Sequence, residues 1–304
     1  MIYVLSRDNV QLARAEVEAL ADKKGRLFDH YLSLDSDFDY KRLAYTNQVL
    51  DFLFKCKKTD LKRKFEEYAW NTVYKNNFCM RSNKTKYEKD FARFVWDCVD
   101  DPKVKLVNSD TEIWIYFFGD DVIVGKKVFD REEKFQKRRP DLRPGFYPIS
   151  LKPKLGRALV NLTGVRKGKV WDPFCGTAGI LIEASLMGLK VVGSDIDEKM
   201  IEASKKNFDE FKIKGKLILG DCRKMKVECD AVVCDPPYGR RASLHKTVIE
   251  QLYKEFLENA YEFVDRVVLM APNDLKIETK YNKKLVAVDY VHGSLSRMIY
   301  VLDK

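Results

Sequence analysis

The residues best suited to chemistry lie in the segment Val232–Gly239, which reads VVCDPPYG. The β-branched start predicts a short buried strand, and Pro236 and Pro237 must end it, because proline has no backbone N–H and restricts the residue before it to extended geometry. The nearby carbonyl groups are therefore held in fixed directions beside the carboxylate of Asp235 and the ring of Tyr238. Acceptors next to a stacking surface suit an enzyme that holds a nucleobase by its exocyclic amine. A strand that ends in a Pro-Pro turn with a surface tyrosine explains the motif equally well.

A second segment, 170–179, reads VWDPFCGTAG and predicts a strand, a glycine-bearing turn and a helix. Such turns bring the backbone close to a ligand and direct helix N–H groups at it. A dinucleotide fingerprint would need Gly-x-Gly-x-x-Gly, whereas only Gly176 and Gly179 are present, with Ala178 between them, so a nicotinamide cofactor is disfavoured. Asp172 would oppose a pyrophosphate and would suit an ammonium group, such as the amino-acid end of S-adenosylmethionine.

Two more carboxylates follow the next two strands. Asp195 is placed to accept both hydroxyls of a ribose, with Ile196 beside it to press on an adenine face. Asp221 would accept the adenine amino hydrogens while Cys222 supplies a backbone N–H. Each acid alone is more often a helix cap or turn residue. Because Asp172, Asp195 and Asp221 end consecutive strands, the set favours a pocket at one crevice.

Size and charge narrow the class of protein. The chain has 304 residues, enough for two domains at roughly 100–200 residues each. Its formal net charge of +10 favours a polyanionic partner, although a heavily charged surface typical of heat-adapted proteins explains it too. No apolar run reaches the roughly 20 residues that cross a bilayer, and we find no secretion signal, so we expect a cytoplasmic protein.

The cysteines indicate neither a metal site nor disulfides. There are seven, an odd number, with no Cys-x-x-Cys pair and only three histidines in the chain. This composition argues against a zinc centre and against a disulfide framework. We therefore expect small buried thiols in a reducing compartment.

The second half of the chain alternates short apolar runs with helical segments. Strands are predicted near 170–171, 191–192, 217–219, 231–233 and 267–270, with helices at about 179–187, 198–211 and 247–263. This alternation predicts an α/β fold with a doubly wound parallel sheet. The runs 285–292 and 297–302 are joined by only four residues, which predicts a closing hairpin and one antiparallel strand at the sheet edge.

The first half reads as α+β. We predict a strand at 2–5, a helix at 12–23, a mostly helical stretch at 42–68 and a hairpin over 112–125. Between the halves, 134–148 is rich in proline and basic residues, with one acidic residue among them. We interpret it as an inter-domain connection that contacts phosphate, although its charge would also simply keep a linker extended.

Together the segments DPFCGT (172–177), GSDID (193–197) and DPPYG (235–239) resemble the Rossmann-like S-adenosylmethionine-dependent methyltransferases that act on exocyclic amines. The runs PISLKP (148–153) and LVNLTGV (159–165) are similar to a narrower family, the archaeal and eukaryotic tRNA guanine-10 N2-methyltransferases. The similarity is close over about 148–240 and only architectural over 1–130. Ala178 departs from the family, where glycine is frequent, and we expect only slightly tighter packing from its methyl group.

The resemblance implies a domain order. Residues 1–45 would form a ferredoxin-like piece, 46–130 a THUMP RNA-binding domain, 131–150 a basic linker and 151–304 the Rossmann-like methyltransferase domain. It also implies a monomer that acts on tRNA, without a membrane, and leaves open a small activator protein. Phosphate contacts are expected from the basic side chains near a predicted strand and helix and in the linker, namely Arg81, Lys84, Lys86, Arg138 and Arg139.

The resemblance also implies the site. S-adenosylmethionine would contact Asp172, Phe174, Cys175, Gly176, Thr177, Asp195, Ile196, Asp221 and Cys222, and no metal is expected. The catalytic loop falls on Asp235, Pro236, Pro237 and Tyr238. The Asp235 carboxylate and the Pro236 carbonyl would accept the two hydrogens of guanine N2, Asp235 would take the released proton, and Tyr238 would stack on a base turned out of its helix.

Three alternatives stay open at this level. An N6-adenine DNA methyltransferase shares the acid-Pro-Pro-aromatic motif but leaves the first half of the chain without a role. A THUMP-containing methyltransferase of guanine at another tRNA or rRNA position differs mainly in the Asp235 loop and the run 148–165. A noncatalytic RNA-binding protein would not require Asp235 or Pro236.

Overall fold

The computed structural model describes residues 1–148, 150–238, 243–292 and 295–304, and the side chains of 243–246, 291–292 and 295 are likewise outside the description. The motif residues Ile149 and Gly239 and the turn predicted at 293–294 therefore lie outside the described residues. The chain divides into two compact units. Unit 1 comprises Met1–Leu5, Gly25–Ser36 and Thr46–Arg131; unit 2 comprises Ser6–Lys24, Asp37–Tyr45 and Glu132–Lys304.

Unit 1 is a seven-stranded sheet with two helices. Its strands in chain order are β1 (Ile2–Leu5), β2 (Arg26–Phe28), β3 (Tyr31–Ser33), β4 (Thr46–Lys57), β5 (Phe78–Ser82), β6 (Thr111–Phe118) and β7 (Asp121–Asp130). They lie in the order β2-β3-β1-β4-β7-β6-β5. The helices α2 (Leu61–Glu67) and α3 (Lys86–Trp96) contribute to an aromatic core in which Phe65 packs against Trp70 and Phe91. The predicted β6–β7 hairpin is confirmed.

The predicted helix at 42–68 is wrong over most of its length. Residues 46–57 form β4, which pairs with both β1 and β7, and only α2 at the end is helical. The pairing of β4 with β7 shifts register between Val49 and Leu50 and again between Phe52 and Phe54. Each shift breaks the alternation of inward and outward side chains, so the apolar residues imitate a helical period.

Unit 2 contains a second seven-stranded sheet. Its strands are β8 (Lys169–Asp172), β9 (Lys190–Asp195), β10 (Gly215–Leu219), β11 (Ala231–Cys234), β12 (Arg266–Pro272), β13 (Asn282–His292) and β14 (Leu295–Asp303). They lie in the order β10-β9-β8-β11-β12-β14-β13, and the first five are parallel. Because parallel strands end at the same edge, β8, β9, β10 and β11 all deliver the residues that follow them to one side of the sheet.

The closing hairpin is confirmed, but its place in the sheet differs from the prediction. The antiparallel strand β14 lies between β12 and β13 and pairs with both, so it is second from the edge. The edge strand β13 runs in the same direction as β12. Strand β14 is therefore enclosed on both sides, which fixes the orientation of the side chains near its beginning.

In its described residues, unit 2 has the α-helices α1 (Val10–Ala21), α4 (Pro153–Leu162), α5 (Gly179–Leu186), α6 (Glu198–Glu210) and α7 (Ser243–Tyr261). The core centres on Trp171 of β8, which packs near Phe256 of α7 and donates its indole N–H to the Ser194 hydroxyl at 3.0 Å. Across the described ranges, none of the helices has the length and apolarity to span a membrane.

The compact units do not follow the predicted boundary at residue 45. Helix α1 and the segment 37–45 belong to unit 2, where buried polar groups join them to α4. The Glu16 carboxylate accepts hydrogen bonds from the backbone N–H groups of Ala44 and Tyr45 and from the Asn161 side chain, at 2.7–2.9 Å. Arg42 donates to the carbonyls of Val165 and Arg166. These polar side chains lie in the interior of unit 2.

The predicted linker 131–150 is also part of unit 2 from residue 132 onward. Gly145 exchanges two hydrogen bonds with the side chain of Asn207 on α6, at 2.8 and 3.0 Å, and the same amide donates to the Thr177 carbonyl at 2.8 Å. A Cβ atom at Gly145 would lie 2.1 Å from the Ala203 carbonyl oxygen, so only glycine fits against α6 here. Proline and charge suggested an extended linker, whereas specific backbone hydrogen bonds fix the segment.

We predict that Asn207→Ala lowers the free energy of unfolding by about 2–4 kcal/mol, because Gly145 and Thr177 lose buried partners. Urea denaturation of the full chain, followed by circular dichroism, measures the change. The matched control Asn282→Ala removes an exposed amide and should change the free energy by no more than about 0.5 kcal/mol. Equal losses in both variants would contradict this role of Asn207.

Candidate active site

The turn after β8 is held against the end of β9. The Cys175 N–H donates to the Ser194 carbonyl and the Gly176 N–H donates to an oxygen of Asp195, both at 2.9 Å. Gly176 has φ +51°, and no atom lies within 4 Å of the position a Cβ would take. The turn therefore presents open backbone at Gly176, which is the feature expected where a ligand approaches closely.

Ala178 departs from the expectation of slightly tighter packing. It adopts the left-handed conformation, with φ +64°, immediately before α5. A non-glycine residue in this region costs about 1–2 kcal/mol. The consequence of alanine at this position is thus backbone strain at the turn, while its methyl group is fully buried.

The end of β9 positions Asp195 and its neighbour. The second carboxylate oxygen of Asp195 accepts the Asp197 N–H at 3.0 Å, so both oxygens bond to backbone. Ile196 is 71% exposed, which leaves its side chain accessible to a flat ligand. Asp197 accepts the Lys199 N–H and caps α6.

Asp221 lies beyond β10 and is bound by a residue that the sequence analysis overlooked. Arg223 donates to both of its carboxylate oxygens, with a shortest distance of 2.7 Å, and also to Glu255 at 3.0 Å. The hydrogen bond from Arg223 lowers the pKa of Asp221. Burial raises the pKa of the neighbouring Cys222 thiol to about 12, so this thiol stays neutral. The sequence does contain a signal for this contact, because the basic residue Arg223 follows Asp221 by two positions.

Three carboxylates meet at this edge of the sheet. Asp172 is 1% exposed; burial raises its pKa well above the usual range, and the charges of Asp195 and Asp235 raise it further. The Phe174 N–H, which donates to Asp172 at 3.1 Å, acts in the opposite direction. The structure thus brings together acids from three strands, an environment that suits a positively charged ligand.

A buried cation lies beside the same turn, and its Nε donates to the Arg138 carbonyl at 3.0 Å. Arg143 is 4% exposed, and neither of its terminal nitrogens has a hydrogen-bond partner in the described chain. One of them lies 3.1 Å from the position of a Cβ on Gly179, the first residue of α5. A buried cation near a helix N-terminus favours an anion between them. The hydroxyl groups of Ser150 and Thr177, 2.9 Å apart, add polar groups at this turn.

The loop after β11 contains the predicted catalytic residues. The Tyr238 hydroxyl donates to Asp235, and Pro236 is buried whereas Pro237 is exposed. Burial raises the pKa of Asp235, while the Tyr238 hydrogen bond and the charge of Arg297 lower it. Burial also raises the pKa of Tyr238, so its hydroxyl remains a donor. The result is a carboxylate fixed in one orientation beside an aromatic ring.

Sequence reasoning missed Arg297 and Asp289. Arg297 lies on β14, and its guanidinium is 3.9 Å from the second oxygen of Asp235. Asp289 of β13 accepts two hydrogen bonds from this guanidinium, at 2.8 and 3.1 Å. The available signal was a charged residue at the beginning of an otherwise apolar strand; its partner depends on strand register, which the sequence does not specify.

The predicted RNA-contacting residues fall into both units. In unit 1, Arg81 donates to the Leu106 carbonyl, while Lys84 and Lys86 are exposed at the end of β5 and the start of α3. In unit 2, Arg139 is half exposed and pairs with Asp141.

Arg138 requires a correction. Its side chain is 13% exposed and pairs with the fully buried Glu183 at 2.8 Å and with Glu133 at 2.5 Å. Two carboxylates therefore neutralise its charge inside unit 2, and we assign it a structural role instead of a phosphate contact.

The known proteins that this chain resembles include methyltransferases. The family model for the UPF0020 (RMKL-like) methyltransferase domain matches residues 140–296. The chain is 32% identical to a tRNA (guanine(10)-N2)-dimethyltransferase of Methanothermobacter thermautotrophicus, with 100% of this chain and 99% of the relative covered. It is also 32% identical to the enzyme of that name from Pyrococcus abyssi, over 96% of each chain. The crystal structure of TrmN from Thermus thermophilus shares the fold, with a TM-score of 0.52, 20% identity and coverage of 100% of this chain and 99% of that one.

We predict that Asp172→Asn raises the free energy of unfolding at pH 7 by about 1 kcal/mol or more, since one pKa unit corresponds to about 1.4 kcal/mol. Folding raises the pKa of this carboxyl, so its contribution to stability is present at acidic pH and is lost as the pH rises. The amide has no charge to desolvate and keeps the oxygen that accepts the Phe174 N–H.

Urea denaturation at two pH values tests this sign. The gain should be present at pH 7 and absent near pH 3, where the carboxyl is protonated in both states. The control Asp209→Asn changes an exposed carboxylate on α6 and should alter stability little at either pH. A gain that is the same at both pH values would show that burial of charge is not its cause.

Proposed function

Because this chain belongs to the tRNA (guanine(10)-N2)-dimethyltransferase family, we propose that it transfers methyl groups from S-adenosylmethionine to the N2 amine of guanosine 10 in tRNA. The observation that supports this most directly is the Asp235 loop. An oriented carboxylate and a proline-fixed backbone lie at the sheet edge where the carboxylates Asp172 and Asp195 also meet. This combines an acceptor for an exocyclic amine with a pocket for a cationic ligand.

The residues present fit S-adenosylmethionine. Asp172 would bind its ammonium group, the backbone at Gly176 would approach its amino-acid portion, and Asp195 would accept the ribose hydroxyls. The two terminal nitrogens of Arg143, which have no hydrogen-bond partner in the described chain, would face the carboxylate of the cofactor. The adenine would lie between the exposed Ile196 and the Asp221–Cys222 segment. When bound, this cofactor supplies an electrophilic methyl group on a sulfonium.

The catalytic loop would make guanine N2 nucleophilic. The N2 lone pair is delocalised into the ring, so a planar amine is a poor nucleophile. Hydrogen bonds from its two hydrogens to Asp235 and the Pro236 carbonyl would favour a pyramidal nitrogen whose lone pair faces the methyl carbon. As the new N–C bond forms and the S–C bond breaks, Asp235 would take the proton from N2 and pass it to solvent. Tyr238 would stack on the extruded base.

We extend the proposal to two successive transfers, which is what the names of the two archaeal relatives describe for those proteins. After the first transfer, N2 retains one hydrogen, which can still be held by Asp235. For RNA binding we propose that residues 46–130 act as a THUMP domain, with Lys84, Lys86 and Arg139 contacting phosphate. We further propose a monomer that acts in the cytoplasm, a compartment consistent with the seven free cysteines.

Incubation with methyl-labelled cofactor and unmodified tRNA, followed by digestion to nucleosides, tests the function. We predict label in N2-methylguanosine and then in N2,N2-dimethylguanosine. A tRNA with adenosine in place of guanosine 10 should take up none. Label in methyladenosine would favour a DNA-type enzyme, label retained on the substituted tRNA would favour another guanine position, and no label would favour a noncatalytic RNA-binding protein.

The same assay tests the catalytic loop. We predict that Asp235→Ala reduces methyl transfer by about 10³-fold or more, because both the N2 acceptor and the proton acceptor are lost, while affinity for S-adenosylhomocysteine stays within about threefold. Asp265→Ala removes an exposed carboxylate next to the amino end of β12, at the opposite edge of the sheet, and serves as the matched control. Unchanged turnover in Asp235→Ala would refute the assignment.

Salt dependence tests the phosphate contacts. Three contacts, at a slope of about −0.9 each, predict that tRNA affinity falls about 40-fold between 50 and 200 mM salt. The double variant Lys84→Ala/Lys86→Ala should reduce the slope by about 2. In the control Lys62→Ala/Lys103→Ala, exposed lysines paired with acidic residues are removed, and the slope should change less. A salt-independent affinity would show that phosphate contacts are not a main source of binding.

A further inference from the structure

We propose that Arg297 and Asp289 form a positioning pair that fixes the orientation and the negative charge of the Asp235 carboxylate during methyl transfer. The inference rests on the proposed function and adds two residues to it. Neither belongs to the DPPY motif, and both come from the closing hairpin of unit 2.

Strand register builds the pair. Asp289 of β13 lies directly opposite Arg297 of β14, and Arg297 lies opposite Pro272 of β12 on its other side. One oxygen of Asp289 accepts the Arg297 Nε–H at 3.1 Å and an Nη2–H at 2.8 Å. Because the guanidinium is planar, these two bonds fix the direction of its remaining nitrogen. Both side chains are mostly enclosed, at 16% and 23% exposure.

The remaining nitrogen, Nη1, faces the Asp235 carboxylate but makes no hydrogen bond to it. Its distance to Asp235 Oδ2 is 3.9 Å, which is too long for a hydrogen bond but close enough for a strong charge interaction in a half-buried site. The other oxygen of Asp235 accepts the Tyr238 hydroxyl. Arg297 therefore favours the anionic form of Asp235 against the effect of burial, and in the described chain Oδ2 keeps its lone pairs for a hydrogen of the substrate amine.

The surrounding groups make this cation necessary. Asp235 is faced by Asp172 from β8, Asp289 from β13, Tyr253 from α7, Tyr238 from its own loop and Arg297 from β14. Burial raises the pKa of Asp235, and the charge of Asp289 acts in the same direction; Arg297 opposes both. A protonated Asp235 could not take the released proton and would be a weaker acceptor for the amine hydrogen. Among the residues that the structure describes around Asp235, Arg297 is the cation in this group.

Substitutions of Arg297 and Asp289 should shift the pH dependence of methyl transfer in opposite directions, which a purely structural role would not produce. Arg297→Gln removes the cation, so the acid limb of the pH–rate profile for methyl transfer should move to higher pH. Asp289→Asn removes a competing negative charge and retains an acceptor oxygen for Arg297, so the acid limb should move to lower pH. Arg297→Lys keeps the charge without the fork and should lie between Arg297→Gln and the wild type.

Single-turnover methyl transfer to tRNA, measured from pH 5.5 to 9, tests the proposal. For Arg297→Gln we expect about a tenfold lower rate at pH 6 that is mostly recovered at pH 9, with affinity for S-adenosylhomocysteine within about threefold. Arg266→Gln, which breaks the Arg266–Asp303 pair elsewhere in unit 2, is the control and should leave the profile in place.

The outcomes separate this inference from the proposed function. A wild-type protein that forms no N2-methylguanosine would overturn the function itself. An active wild type whose Arg297→Gln and Asp289→Asn variants lose the same factor at every pH, or shift in the same direction, would overturn only the positioning role. Opposite shifts of the acid limb would support it.

Discussion

Parallel strands that end at one edge place acidic side chains within each other's electric field, and the rest of unit 2 is arranged around that constraint. Asp172 is buried and Asp235 is mostly enclosed, and the charge of Asp235 raises the cost of ionising Asp172. The protein offsets this cost locally, with the Phe174 N–H on Asp172 and the Tyr238 hydroxyl and Arg297 on Asp235. The carboxylates at this edge retain a negative charge, which a sulfonium ligand that also bears an ammonium group would neutralise. The cost of ionising these carboxylates and the affinity for a cationic cofactor thus have the same origin.

The carboxylates at this edge of the sheet keep their positions because neighbouring segments are fixed by hydrogen bonds. One of these segments, residues 132–148, resembles a linker in its sequence. Asn207 joins the backbone of Gly145 to that of Thr177 with three buried hydrogen bonds. Glu183 on α5 binds both Arg138 and Arg157. These bonds hold the helix whose first turn borders the predicted cofactor position, so residues outside the recognisable motifs determine where the motif residues lie. Strain at the turn, such as the left-handed Ala178, is tolerated because its surroundings are fixed.

The parts of the fold and of the site that depend on one local sequence pattern could be predicted from the sequence. The alternation of apolar runs and helical segments gave the parallel sheet of unit 2, and the acids at strand ends gave its edge. Prediction failed where pairing decides instead. Because of two register shifts, the sequence of β4 resembles that of a helix. Arg297 reaches Asp235 because β14 lies between two strands, and this position depends on the register of the closing hairpin. Arg138 was misassigned because composition does not reveal that Glu183 is buried beside it.

The two oxygens of Asp235 have different neighbours, and that asymmetry connects binding with chemistry. Oδ1 accepts the Tyr238 hydroxyl, so the carboxylate that would hold the amine also orients the ring that would stack on the base. Oδ2 faces a guanidinium at 3.9 Å and retains free lone pairs. A base that stacks on Tyr238 is therefore directed to the oxygen that faces the Arg297 guanidinium. Since that oxygen loses its charge when it takes the N2 proton, the adjacent cation then favours release of the proton, which returns the carboxylate to the form needed for a second transfer.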